Sequence, residues 1–215
     1  MYQSLKRQLD LLKVTLVAVS KIQPVEAIQK LYDLGQRDFG ENYVQELLHK
    51  KEQLPADIRW HFIGHLQTNK VKQLLGHVQL IQGVDSLKLL KEIDKQAGKL
   101  GIVQDCLLQV HIAREETKFG LSEEELNEIL AISGHSGTDH IGFPNVRVRG
   151  LMGMASLDAG EEEIAREFAQ LGSLYKSLGN RVDILSMGMS GDYEIAIKNG
   201  SNMVRIGSLL FGARR

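Results

Sequence analysis

The sequence predicts an α/β protein of the (β/α)8 TIM-barrel class. Three observations carry that prediction. Short apolar or β-branched runs alternate with helical patterns eight times along the 215 residues. No strand-to-strand hairpin signal interrupts the series, and such alternation means parallel strands joined by crossover helices. Residues with useful chemistry recur just after the strands, where a barrel gathers its site. A doubly wound open sheet shares the local pattern, but the GxGxxG of its dinucleotide-binding version is absent after the first strand.

The elements follow in order. "MYQSLKRQLDLLK" reads as an extra amphipathic helix ahead of the barrel, without the apolar core of a signal peptide. The first strand is "VTLVAV" (14–19), followed by a helix from Pro24 to about Leu34. Proline in a first turn loses no needed hydrogen bond, and Gly35 suits the C-cap. "RDFGEN" is the second strand, with a helix from Tyr43 to Gln53. "IRWHFIGH" is the third, with a helix from Thr68 to Leu75. "VQLIQGVD" is the fourth, and Ser86 caps a helix ending near Leu100. "DCLLQVHI" is the fifth, and Ser122 with Glu125 forms a capping box for its helix. "VRVRGLMGMA" is the sixth, followed by a helix from Glu161 to Leu178. "VDILSMGM" is the seventh, with a helix from Asp192 to Asn199. "MVRIG" is the eighth, and "SLLFG" closes the chain.

Composition narrows the function classes. A net charge of -1 and a pI near 6.7 give no bulk attraction to nucleic acid or anionic lipid. No stretch approaches the length of a transmembrane helix, so a cytoplasmic protein is expected. The one cysteine, Cys106, rules out an intrachain disulfide framework and fits a reducing compartment. Its apolar surroundings mark an inert core thiol. "SGHSGTDHIGFPN" (133–145) reads as a loop rather than a boundary, so residues 1–215 are expected to form one domain.

The strand ends collect a set of polar groups: Lys21, Glu41 and Asn42, His65, Asp85, the Ser186–Ser190 stretch, then Arg205, Gly207 and Ser208. Met154 and Ala155 end the sixth strand. "SMGMSGD" and "RIGS" follow strands seven and eight, where barrels often bind phosphate. Gly188, Gly191 and Gly207 allow close backbone approach, and Ser190 and Ser208 add donors. Ordinary turn chemistry would also explain these residues. Arg205 lies inside an apolar strand, so it needs a buried carboxylate or a ligand. Lys21 reads either as a solvated charge or as an amine that takes an aldehyde as a Schiff base. Lysine, phosphate cradle and arginine together suit pyridoxal 5'-phosphate.

Other residues carry blander readings. His61 and His65 have helical ligand spacing, but their segment reads as strand and exit loop, so no metal is assigned. His111 is expected to be a satisfied core or rim histidine. "EEEIAREFAQ" is expected to be a solvated helix face.

Eight stretches resemble the pyridoxal phosphate homeostasis proteins, single-domain relatives of the alanine racemase N-terminal barrel. They are "LVAVSK", "GQRDFGENYVQE", "WHFIGHLQTNKVK", "VDSLKLL", "ETKFGL", "RGLMGMA", "LSMGMSGDYEIAI" and "GSNMVRIGSLLFGAR". The resemblance implies that Lys21 holds the cofactor as a Schiff base. It implies phosphate binding by Ser186 or Ser190 with Gly207 and Ser208, and Arg205 near the pyridine nitrogen. Asn42 and His65 carry over as pocket residues. The sequence departs from the family at "SKIQP", at "LMGMAS", which lacks a following proline, and at His111, where asparagine is common.

The same resemblance frames the activity. Related racemases add a β-rich domain that supplies a tyrosine base, and this chain is expected to have no room for one. Glu41, His65 and Tyr43 are second-base candidates by position alone. An arginine at the ring nitrogen disfavours the protonated pyridinium, a strong electron sink. The expected role is therefore vitamin B6 homeostasis by a monomer without classical turnover, with cofactor-dependent apo-enzymes as recipients. The alternatives are an amino acid racemase, or a Schiff-base barrel enzyme acting on a sugar phosphate without cofactor.

Overall fold

The computed structural model describes residues 1–115, 118–132 and 143–212. Helix α1 (Tyr2–Leu11) precedes strand β1 (Thr15–Val19) and helix α2 (Val25–Asp33). Then come β2 (Asp38–Glu41), α3 (Val44–Lys51), β3 (Arg59–Phe62), α4 (Val71–Leu74), β4 (Leu80–Val84) and α5 (Leu87–Leu100). The second half holds β5 (Gln104–Gln109), α6 (Glu123–Ile132), β6 (Val146–Met152) and α7 (Glu161–Ser177). It ends with β7 (Ile184–Ser186), α8 (Tyr193–Lys198), β8 (Met203–Ile206) and α9 (Ser208–Phe211). The eight strands pair in parallel and in sequence order, and β8 closes on β1 with Arg205 opposite Val17.

Each strand alternates between two environments, as the pleat requires. Outward residues such as Leu16, Trp60, Phe62, Ile81 and Val204 join the large apolar layer beneath the helices. Val17, Leu80, Leu107, Met152 and Met203 form a separate small cluster in the barrel's interior. On β2, β3, β4, β7 and β8 the same inward phase also carries Asp38, His61, Gln82, Ser186 and Arg205. Branched apolar side chains usually fill these layers. Gly40 makes room for them, since a Cβ there would lie 2.9 Å from Ile63 Cδ1 and 3.0 Å from Val17 Cγ1.

The caps explain several boundaries. Ser86 Oγ accepts from Leu89 N at 3.3 Å, and Gly101 ends α5 at φ 65°. Ser122 and Glu125 make the reciprocal capping box, at 2.9 and 3.2 Å. Pro24 is the cap of α2, with ψ 154°, and Val25 is its first helical residue, one position later than expected.

Several strands stop sooner than the sequence suggests. β3 ends at Phe62, β6 at Met152 and β7 at Ser186. The apolar runs continue because the exit segments still line the rim and still bond across it: Ile63 N donates to Glu41 O and Gly153 N to Ser186 O. Most of the expected 133–145 loop, Glu116 and Thr117 of "ETKFGL", and the last residues of "FGAR" lie outside the described residues.

Candidate functional site

Lys21 stands half-buried just beyond the C-terminal end of β1. Gln23 N donates to Ser20 O at 3.0 Å, so Lys21 and Ile22 form the centre of a tight turn. Ile22 has φ 66° and is exposed. Glycine or asparagine normally takes such a position, and a β-branched residue there is strained by about 1–3 kcal/mol. Something must hold the turn.

The clamp is a buried charge cluster behind Lys21. Lys50, on α3, is 4% exposed. Its Nζ donates to Ser20 O at 2.7 Å, Glu41 Oε1 at 2.8 Å and Glu46 Oε1 at 2.6 Å. Ser20 Oγ donates to Glu41 Oε1 at 2.6 Å, and Ile22 N donates to Glu46 Oε1 at 2.5 Å. Residues on both sides of Lys21 are thus tied to one ammonium and its two carboxylates. Burial raises the Glu41 carboxyl above its usual range, against the opposing bonds from Lys50 and Ser20. Glu41 Oε2 has no hydrogen-bond partner among the described residues.

Across the β1–β8 seam, Arg205 is fully enclosed. Its Nη1 donates to Ser186 Oγ at 2.6 Å and its Nη2 to Gly153 O at 2.9 Å. The ion pairs among the described residues give it no carboxylate within reach. Burial therefore lowers its pKa to about 10, with Asp192 opposing the shift from a distance. Ser186, expected among the phosphate donors, is itself buried. Its hydroxyl already accepts from Arg205 and donates to Gln82 Oε1 at 2.7 Å. It lies at the end of β7, inside the barrel and bonded to the arginine.

The two expected anion loops lie side by side. Gly207 N donates to Ser190 Oγ at 3.3 Å, which joins the exit of β8 to that of β7. Met189 N donates to Asp192 Oδ1 at 2.5 Å, so Asp192 folds the loop onto the start of α8. Gly188 has φ 96°, and a Cβ there would lie 2.6 Å from Ala196 Cβ. Gly191 and Ser208 face open solvent.

The opposite side of the mouth is a cleft of about 520 Å³, lined by Asn42, His65, Gln109, Phe119 and Met154 among others. His65 Nδ1 lies 2.7 Å from Asp85 Oδ2. Its ring stacks on Phe119, with centroids 3.9 Å apart at 12°. Asn42 Oδ1 is buried and lacks a partner among the described residues. The structure separates the two histidines: His61 points inside the barrel and His65 stands on the rim. His111, on the rim, bonds Glu115 O at 3.0 Å. Cys106 is fully buried, and burial pushes its thiol upward.

Sequence reasoning singled out none of Ser20, Glu46, Lys50, Phe119 and Gln82, and weighed the interior His61 only for a metal spacing. Buried glutamine and histidine at inward strand positions were the available signal for the last two. Lys50 sits in a helix and looks like any surface lysine.

Residues 2–215 match the family described as alanine racemase, N-terminal domain. The pyridoxal phosphate homeostasis protein of Aquifex aeolicus is 43% identical over 205 residues, covering 93% of this chain and 87% of that protein. Its counterpart in Escherichia coli (strain K12) is 38% identical over 212 residues, covering 94% and 86%. Among solved structures, PipY of Synechococcus elongatus PCC7942 with PLP bound superposes with a TM-score of 0.82 at 36% identity, covering 93% of each chain. Alanine racemase of Clostridium difficile 630 shares the fold, with a TM-score of 0.75 at 15% identity, covering 97% of this chain and 55% of its own. By these matches the chain belongs to the pyridoxal phosphate homeostasis proteins, within the alanine racemase N-terminal domain family.

Proposed function

We propose that this chain binds pyridoxal 5'-phosphate in the mouth of its barrel and serves intracellular vitamin B6 homeostasis. The observation that carries the reading is Arg205: a guanidinium buried without a carboxylate partner among the described residues. A cation in that setting is costly until an anionic or strongly accepting ligand meets it. The neighbouring loops can supply the rest of a site for such a ligand. Their amides, Ser190, Gly207 and Ser208 would hold the phosphate, and Gly188 permits the loop's shape. Arg205, oriented by Ser186, would address the ring nitrogen.

Pyridoxal phosphate supplies an aldehyde and an electron-accepting ring. Lys21 would supply the amine that holds the aldehyde as a Schiff base. The Ser20–Glu41–Lys50–Glu46 cluster holds the lysine's turn in its strained shape. Asn42 and His65 would line the cleft beside it. A buried, permanently charged donor at the ring nitrogen disfavours protonating that nitrogen, so the site suits holding the cofactor better than driving carbanion chemistry.

The barrel, residues 1–215, would act as one cytoplasmic, monomeric domain and pass cofactor to apo-enzymes that need it. No helix among the described residues is long and apolar enough to cross a membrane. The test is transfer. The chain, loaded and desalted, is mixed with a pyridoxal phosphate-dependent apo-enzyme. Activation faster than that given by the same amount of free cofactor in the presence of a phosphatase supports the role. Failure to retain cofactor after desalting refutes it.

The racemase reading draws on one observation, the His65–Asp85 pair, an oriented imidazole at the mouth. Loss of the α-proton from amino acids in deuterated water, dependent on His65, would favour that reading.

A further inference from the structure

A continuous chain of hydrogen bonds runs through the barrel from Arg205 to the other end. Arg205 Nη1 reaches Ser186 Oγ at 2.6 Å, and Ser186 Oγ reaches Gln82 Oε1 at 2.7 Å. Gln82 Nε2 lies 3.0 Å from His61 Nδ1, and His61 Nε2 lies 3.1 Å from Asp38 Oδ1. Arg59 then grips Asp38 with Nε at 2.8 Å and Nη2 at 2.5 Å. The chain crosses from β8 to β7, β4, β3 and β2.

The ends of the chain fix its direction. Arginine can only donate and an ionised carboxylate can only accept. Ser186 must therefore accept from Arg205 and spend its own proton on Gln82 Oε1. Gln82 is left to offer its amide N–H to His61 Nδ1. His61 then carries its proton on Nε2 and donates to Asp38. Every bond points the same way, so each link polarises the next. Gln82 is 0% exposed and His61 3%, at layers where apolar side chains would pack without any partner.

We propose that Gln82 and His61 are positioning residues for Arg205. They fix the Ser186 hydroxyl as an acceptor, and so fix where the guanidinium stands when it meets the cofactor. The proposal rests on the reading that Arg205 addresses the pyridoxal ring. It assigns a role at the site to two side chains that lie within the barrel, beneath its mouth.

The test is a double-mutant cycle on pyridoxal phosphate binding, using the full chain, Gln82→Met, Arg205→Met and the double variant. Thermal stability is recorded for each. If Gln82 acts through Arg205, Gln82→Met raises the dissociation constant about tenfold when Arg205 is present, the worth of one hydrogen bond to a charged group. In the Arg205→Met background the same change has less than about a twofold effect. Gln104→Met is the control for loss of a buried glutamine, since Gln104 is 2% exposed and its side-chain amide donates to Gln79 O and Asp105 O. It is expected to lower stability without moving the dissociation constant.

Equal losses in both Arg205 backgrounds, or no loss with Arg205 present, would overturn the proposal. Equal binding by the unaltered chain and Arg205→Met would instead remove the reading beneath it, and the proposal with it. Should Gln82→Met fail to fold, His61→Leu removes the next link and enters the same cycle, with the same two outcomes decisive.

Discussion

Replacing Lys50 with methionine leaves a similar apolar stem and removes the ammonium from between Glu41 and Glu46. Glu46 is 23% exposed at its side chain and can turn to water, whereas Glu41 is 0% exposed and cannot. Removing one partner of a buried pair typically destabilises by about 3–5 kcal/mol. Glu41 has an escape, which is to take up a proton. Holding it neutral in the fold at pH 7, from an ordinary carboxylate value, costs about 3.7 kcal/mol at 1.36 kcal/mol per unit. At pH 5 the same sum is about 1 kcal/mol.

The sign follows from linkage. In the variant, the folded value of Glu41 lies far above the unfolded one, so stability is lost as pH rises above the unfolded value. The expected loss relative to wild type is therefore about 3–4 kcal/mol at pH 7, shrinking toward 1–2 kcal/mol at pH 5. Urea unfolding followed by the single tryptophan, Trp60, which is buried, measures both. Adding Glu41→Gln to Lys50→Met is expected to recover much of the loss at pH 7. A loss under about 1 kcal/mol at pH 7, or one that does not change with pH, would refute the argument that a buried ion cluster holds the Lys21 turn.

Two further outcomes are expected. Burial alone would raise the Asp38 carboxyl, but hydrogen bonds from His61 and Arg59 outweigh it and hold the pKa at about 2. That depression contributes stability fully present above about pH 4 and lost as pH falls toward 2, so Asp38→Asn is expected to cost about 1–2 kcal/mol at pH 7 and little at pH 2. A penalty unchanged across that window, in urea melts, would contradict it. Gly188→Ala places a methyl 2.6 Å from Ala196 Cβ and 2.9 Å from Tyr193 Cα at φ 96°. A loss of about 2–3 kcal/mol and weakened pyridoxal phosphate retention are expected, and a neutral thermal melt would show that the loop adapts.

Much of the barrel was legible because its signals are local. Eight apolar runs, the Ser122–Glu125 box and the Ser86 cap each depend on neighbours within one element; each run holds a strand, though several end early, and both caps stand where expected. The rim residues were legible for a related reason. In a parallel barrel the strand ends mark the C-terminal rim, so Lys21, Asn42 and Gly207 could be placed there by counting, with Arg205 just inside it on β8. What stayed hidden depends on closure. The bond from Ser186 to Gln82 joins residues 104 apart in the chain, and that from Ser20 to Glu41 joins residues 21 apart. Ser186 looked like a phosphate donor because its loop position fits one. Only the inward phase of β7 turns its hydroxyl toward Arg205 and Gln82. His61 and His65 fall on a strand and its exit, as their segment was read, because β3 ends between them.

The most direct test of the central claim is the visible absorption spectrum of the chain after incubation with pyridoxal phosphate and desalting. Borohydride reduction and peptide mapping follow, beside a Lys21→Ala control. A yellow protein and a label fixed on the Lys21 peptide are expected, and neither in the control. A colourless protein, or a label that lands on another lysine and persists in Lys21→Ala, would contradict the claim.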